Sequence, residues 1–291
     1  MCRNRLKWQE KTKMFEKKMV NGVEVIELSN AYGKAEVATL GAHVLSWTPV
    51  KEKPVLWMSK KSYFEPGKPI RGGIPVCWPW FGGAKQPSHG FFRIETWNFG
   101  GVYELAGGAT MLILTLDKAE LAEYPFHAQM SVTMGKSLEV ALTFENKGDK
   151  PVEVSGALHT YFAASDITNV RISGLDGAAF EDRRASAKQV TGHVQDGEVA
   201  VDAEVDRLYP CTTADVIYSD LGTGRSILVE KLGSYSTVVW NPWIEKAKAM
   251  PDYGDEEFHQ MICIEAANAG EDARIAYPGI THTLAQKITV L

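Results

Sequence analysis

The chain has 291 residues, 45% of them hydrophobic, enough to bury a sizeable core, and it reads as one large all-β domain in preference to two ordinary ones. Its 31 basic and 36 acidic residues leave a net charge of -5, which argues against a nucleic-acid polyanion as the main partner and makes any anion site a local one. Cys2, Cys77, Cys211 and Cys263 show no CxxC spacing, no stretch is long and apolar enough to span a membrane, and the first residues lack a signal peptide's apolar core, so a reducing cytoplasm is expected.

Residues 1–18 carry Arg3, Arg5, Lys7, Lys11, Lys13, Lys17 and Lys18 and read as a charged tail or short helix, leaving 19–291 as a single domain. Beyond it, period-two alternation between glycines and prolines predicts strands over residues 23–28, 35–40, 111–116, 129–134, 138–144, 227–232, 235–240 and 261–265. Gly135, and Gly148 with Asp149, predict hairpin turns. Helical periodicity is confined to residues 118–124, 245–250 and the tail. Many short strands without alternating helices predict a large antiparallel β-sandwich or barrel with few short helices, not a nucleotide-binding α/β fold.

The densest unusual segment is residues 70–83, IRGGIPVCWPWFGG, followed by His89-Gly90-Phe91-Phe92-Arg93. Its four glycines and two prolines predict a shaped loop. Trp78, Trp80 and Phe81 offer flat faces for the C–H surface of a sugar ring, or else a roof over the core. Arg71 and Arg93 flank the loop, and each fits either a phosphate clamp or a surface pair with a nearby carboxylate.

Over residues 152–162 the alternation places Val152, Val154, Leu158 and Phe162 on one face, and Glu153, Ser155, His159 and Tyr161 on the other. His159 therefore faces a polar groove, as a proton-transfer group or as a satisfied structural histidine. Glu265 closes the apolar run of residues 261–264, where a carboxylate is costly to bury unless something pairs with it or uses it. Asp206-Arg207 and Trp240-Asn241-Pro242-Trp243 are polar-aromatic turns of the kind that line a sugar cleft.

In this order, these motifs resemble the aldose 1-epimerase superfamily, and within it the branch of hexose-6-phosphate mutarotases. The matches run from residues 41–47 through Arg71-Gly72-Gly73-Ile74-Pro75, Trp78-Pro79-Trp80-Phe81-Gly82, His89-Gly90-Phe91 with Arg93, residues 158–162, Asp206-Arg207 and Trp240-Asn241-Pro242 to residues 262–268. The resemblance implies a β-supersandwich that interconverts the α and β anomers of a hexose 6-phosphate without metal or other cofactor. It implies Glu265 as the base and His159 as the acid, His89 and Asp206 as sugar ligands, and Arg71 and Arg93 as phosphate ligands. Several members carry Gln immediately before the His-Gly pair; here Ser88 stands there, with Gln86 two residues earlier. The expected partner is a small-molecule sugar phosphate, with no nucleic acid and no membrane, and the chain is expected to act as a monomer. Three rival readings remain at this level. They are a mutarotase of unphosphorylated sugars, a non-catalytic carbohydrate-binding protein of the same fold, and a cupin-like metalloenzyme using His89, His159 and Glu265.

Overall fold

The computed structural model describes residues 14–83, 85–184 and 192–291. Strands dominate, and the pairings between them are antiparallel; the one α-helix among the described residues is Trp243–Ala249, which overlaps the expected 245–250 but begins two residues earlier. No helix of the described residues is long and apolar enough to cross a membrane.

The two large sheets have different sequence signatures because they are covered differently. In the nine-stranded sheet, Phe126–Met134 alternates strictly between buried and half-buried residues, and so, nearly, does its hairpin partner Leu138–Asn146. One face packs on the core and the other meets solvent. The eight-stranded sheet is centred on Ser236–Asn241 and Met261–Asn268, both buried at every position. Ile262, Ile264 and Ala266 enter the main core shared with the nine-stranded sheet. Met261, Cys263 and Ala267 point the other way, into a second cluster with Trp57, Tyr161, Trp240, Tyr253 and Phe258. Coverage on both faces is why the sequence reads as a near-continuous apolar run. Gln286 joins the sheets: its amide donates to the Ile264 carbonyl at 3.0 Å and its oxygen accepts from the Thr160 hydroxyl.

Three expectations are corrected. The strand Phe15–Val20 pairs with Val23–Asn30, so the end of the stretch read as a tail belongs to a four-stranded sheet. Lys17 reaches Glu24 at 3.2 Å, and Lys18 reaches Glu27 at 3.6 Å and also pairs with Glu36; these cross-strand charges are what the tail reading overlooked. Cys2, Arg3, Arg5, Lys7, Lys11 and Lys13 lie outside the described residues. Residues 118–124 are not a helix: Thr110–Lys118 is a strand to its end, a turn follows, and Pro125 disfavours helical angles at Tyr124. Gly148 and Asp149 lie in a turn, but not one joining paired strands, because Val152–Val154 pairs with Arg274–Ala276 instead. Asn146 redirects the chain there, accepting from the Gly148 amide and donating to the Lys150 and Ala276 carbonyls, each at 2.8 Å.

The stretch 152–162 is three short strands, Val152–Val154, Gly156–Leu158 and Tyr161–Ala163, broken at Ser155 and at His159 and Thr160. Its two faces are nevertheless those expected. Val154, Leu158 and Phe162 are in the main core, while Tyr161 lies in the second cluster with His159 stacked on it.

Candidate active site

The second face of the eight-stranded sheet opens into a cleft of about 530 Å³. Its walls bring together His159, Glu265, Arg71, Ser88, His89, Arg93 and Asp206, all seven residues singled out in the sequence. Phe81 and Trp240 add apolar surface, while Arg183 and Lys246 add charge.

Glu265 is held by register: it lies opposite Val238 of Ser236–Asn241, on a strand enclosed from both sides, and is 1% exposed. His159 is fixed by its amide, which donates to the Pro75 carbonyl at 3.0 Å, and by its ring, which stacks on Tyr161 with 4.8 Å between centroids. Its Nε2 lies 3.3 Å from Oε1 of Glu265. Burial raises the Glu265 pKa well above the carboxylate range, and the nearby Asp206 pushes the same way against Arg183. Burial likewise depresses His159 well below the imidazole range, helped by His89, Arg71 and Arg93. Both groups are driven to their neutral forms, so the contact sets a carboxylic acid against a neutral imidazole, with one proton between them. Nδ1 of His159 and Oε2 of Glu265 are buried without a partner among the described residues, an expensive condition unless a ligand meets them.

The glycine-rich loop brings the next residues close. Gly73 has φ +57°, and a side chain there would place Cβ 2.1 Å from the Val44 carbonyl; Gly90, at φ +74°, would meet the Trp78 carbonyl at the same distance. Only glycine lets the loop pack this tightly. His89, itself at φ +61°, sits edge-on to Phe81, accepts a 3.4 Å hydrogen bond from the Gly82 amide, and is pushed down to about 3 by burial and then by Arg93 and Arg71. Ser88 donates to the Gly82 carbonyl at 3.3 Å, while its own carbonyl accepts from Arg93. Gln86 is exposed and does not line the cleft.

The two arginines differ. Arg71 is locked in place: Nε and Nη2 donate to the two oxygens of Asp252 at 3.2 Å, and Nη1 donates to the Tyr161 hydroxyl at 3.0 Å. Burial works against its charge, but the contacts to Tyr161 and Asp252 prevail and raise its pKa. Among the described residues no carboxylate pairs with Arg93, and its buried Nε has no partner. The cleft thus carries an uncompensated guanidinium despite the chain's net charge of -5.

At the other wall, burial raises the Asp206 pKa while Lys246, 3.4 Å away, opposes the rise. Lys246 also pairs with Glu204 at 2.8 Å, and Arg183 pairs with Glu181 at 3.0 Å. Neither Arg183 nor Lys246 is prominent in the sequence, because each sits in an ordinary charged stretch. Of the aromatics in the loop only Phe81 reaches the cleft. Trp78 is buried against Phe144, and Trp80 packs on Phe91 and Tyr124, so the roof reading holds for both. Trp240 lines the cleft, whereas Asn241 is buried and donates to the Phe258 and Met261 carbonyls. Arg207 stacks over Phe180 and does not line the cleft. Among the described residues no group of three or more His, Cys, Asp or Glu is placed to hold a metal ion; His89, His159 and Glu265 do not form one.

The chain is similar to known proteins along nearly its whole length. A family model described as Aldose 1-epimerase matches residues 24–289. An Escherichia coli K12 protein named "Putative glucose-6-phosphate 1-epimerase" is 34% identical over 280 residues, covering 94% of this chain and 92% of its own. A Cenchrus ciliaris protein of the same name is 33% identical over 264 residues, covering 86% and 80%. The crystal structure of a "putative mutarotase" from Salmonella typhimurium superposes with a TM-score of 0.87 at 32% identity, over 97% of this chain and 95% of that one.

Proposed function

Since the chain belongs to the aldose 1-epimerase family and interconverts the anomers of a sugar, we propose that its substrate is a hexose 6-phosphate, glucose 6-phosphate first among them. One observation carries the reading: a buried His159–Glu265 pair with one proton shares its cleft with Arg93, a guanidinium without a carboxylate partner among the described residues. The relatives' names point to the same substrate.

Ring opening needs a base to take the proton of the anomeric hydroxyl and an acid to protonate the ring oxygen. Glu265 is assigned as the base and His159 as the acid, each worth a factor of roughly 10²–10⁴. The pair starts that step as carboxylate and imidazolium and ends it as carboxylic acid and imidazole. Burial alone favours the second arrangement. Sugar hydroxyls entering the cleft donate to the carboxylate and accept from the imidazolium, which restores the first. Rotation about the C1–C2 bond then presents the other face of the aldehyde, and reclosure returns the proton to His159. In this reading His89 and Asp206 hold hydroxyls, while Arg71, Arg93 and Ser88 meet the phosphate. A net-acidic surface repels sugar phosphates at long range, so selection falls to short charge-assisted hydrogen bonds.

Magnetization-exchange NMR of the anomeric protons, with glucose 6-phosphate and with glucose, tests this. A bond to a charged group contributes about 1.5–3 kcal/mol, so Arg93→Ala is expected to lower efficiency on the phosphorylated sugar by about ten- to a hundredfold and to leave glucose unchanged. Equal handling of both sugars by the parent protein, or equal losses in the variant, would overturn the phosphate assignment.

A further inference from the structure

The Arg71 guanidinium has five N–H donors, and bonds among the described residues occupy three of them: two on Asp252 and one on Tyr161. Two remain, and Arg71 lines the cleft. We infer that Asp252 is a positioning residue of the active site, one that orients the Arg71 fork so that its two remaining donors meet the phosphate; this rests on the hexose 6-phosphate reading above.

The pair lacks the features of an incidental surface contact. The side chains are 21% and 7% exposed, and both of their segments are pinned by other bonds. The Arg71 amide donates to Ser62 Oγ at 2.8 Å, and its carbonyl accepts from the Ser59 amide at 3.1 Å. Asp252 stands two residues before Gly254, whose amide donates to Glu257 at 2.9 Å. Glu257 in turn accepts from the Ser59 hydroxyl at 2.7 Å and the Lys60 amide at 2.9 Å, tying the Asp252 segment to the Arg71 segment. A planar guanidinium gripped side-on by a carboxylate has one orientation, and a fork fixed before binding loses little freedom when a phosphate arrives.

The same contacts link the two ends of the reaction. Tyr161, which accepts from Arg71, stacks on His159 at 12° between ring planes. Tyr161, the second partner of Arg71, is therefore also the ring that backs the proton donor. Removing Asp252 turns the Arg71 fork without touching Glu265.

A mutant cycle decides the point, with glucose 6-phosphate KM and kcat measured for the parent, Arg71→Ala, Asp252→Ala and the double variant, and thermal unfolding followed in each. Asp252→Ala is expected to raise KM about tenfold, roughly the loss of one charge-assisted bond, with kcat within about twofold. In the Arg71→Ala background it is expected to add nothing, because a residue acting only through Arg71 has nothing left to orient. Asp252→Asn, which keeps shape and one acceptor, is expected to fall between the parent and Asp252→Ala, and carries the same cycle if the alanine variant does not fold. If Arg71→Ala raises KM and neither Asp252 variant does, or if the effects add in full, the positioning role is wrong while the phosphate reading stands. If Arg71→Ala itself leaves KM unchanged, the phosphate contact at Arg71 fails first.

Discussion

Glu265→Gln is expected to move activity and stability in opposite directions. The amide has the shape of the acid and still reaches His159, but it cannot carry the proton that the proposed reaction shuttles. Anomer exchange should fall by roughly 10²–10⁴, about 2.7–5.4 kcal/mol of lost transition-state stabilisation. Stability responds to a different quantity. In the native state burial raises the Glu265 pKa well above 4.5, so the folded chain keeps a proton that the unfolded chain releases. Between the unfolded and folded values the native state binds more protons, and parent stability falls by up to about 1.36 kcal/mol for each pH unit of increase. Glutamine escapes this loss. The variant should therefore match the parent near pH 4.5 and gain on it as the pH rises from there toward the folded-state value. Exchange NMR gives the first effect, and chemical or thermal unfolding at several pH values gives the second. Residual exchange close to the parent's, or a stability difference that does not widen as pH rises, would refute the reasoning.

Two further outcomes follow from the same burial. With His159 depressed and Glu265 raised, the pair holds one proton throughout the interval between them, so exchange should pass through the ordinary imidazole value of 6.5 without an inflection; an inflection near 6.5 that survives in His89→Asn would assign an ordinary solvated histidine to the reaction. His43, His89 and His159 are neutral in the fold, with His43 down to about 4 and His89 to about 3, whereas in the unfolded chain they take up protons below 6.5. Stability should accordingly be lost as pH falls from 6.5, by up to about 1.36 kcal/mol per pH unit for each histidine with Glu265 offsetting one of the three; denaturant midpoints at pH 7 and 5 that coincide would contradict it.

Much of the site was legible because its residues break local rules. A carboxylate at the end of Met-Ile-Cys-Ile, a histidine on the polar side of an alternating stretch, and arginines around a glycine-rich loop each conflict with their surroundings, and all of them line one cleft. The strands were legible where one face is wet, as in Phe126–Met134. Sequence patterns did not reveal what depends on distant partners. Asp252 lies 181 residues from Arg71, and nothing around it separates it from a turn aspartate. Lys246 and Arg183 matter through the wall they share, not through their neighbours in sequence. The break at His159 and Thr160 likewise comes from tertiary contacts, since the Thr160 hydroxyl is held by Gln286 of the opposite sheet.

The enclosure of Met261–Asn268 also bears on how a single site serves two mirror-related faces of a carbonyl. Glu265 stands on a strand flanked by Ser236–Asn241 on one side and by Gly156–Leu158 and Tyr161–Ala163 on the other, with Gln286 fastened to the carbonyl beside it. As the proposed base, such a carboxylate would work as a stator. It cannot swing toward whichever anomer arrives, so in the proposed reaction the moving part is the sugar, which would turn its aldehyde while its phosphate end is held. The amides of this strand should accordingly be among the last in the protein to exchange with deuterium, opening only when the whole sheet does.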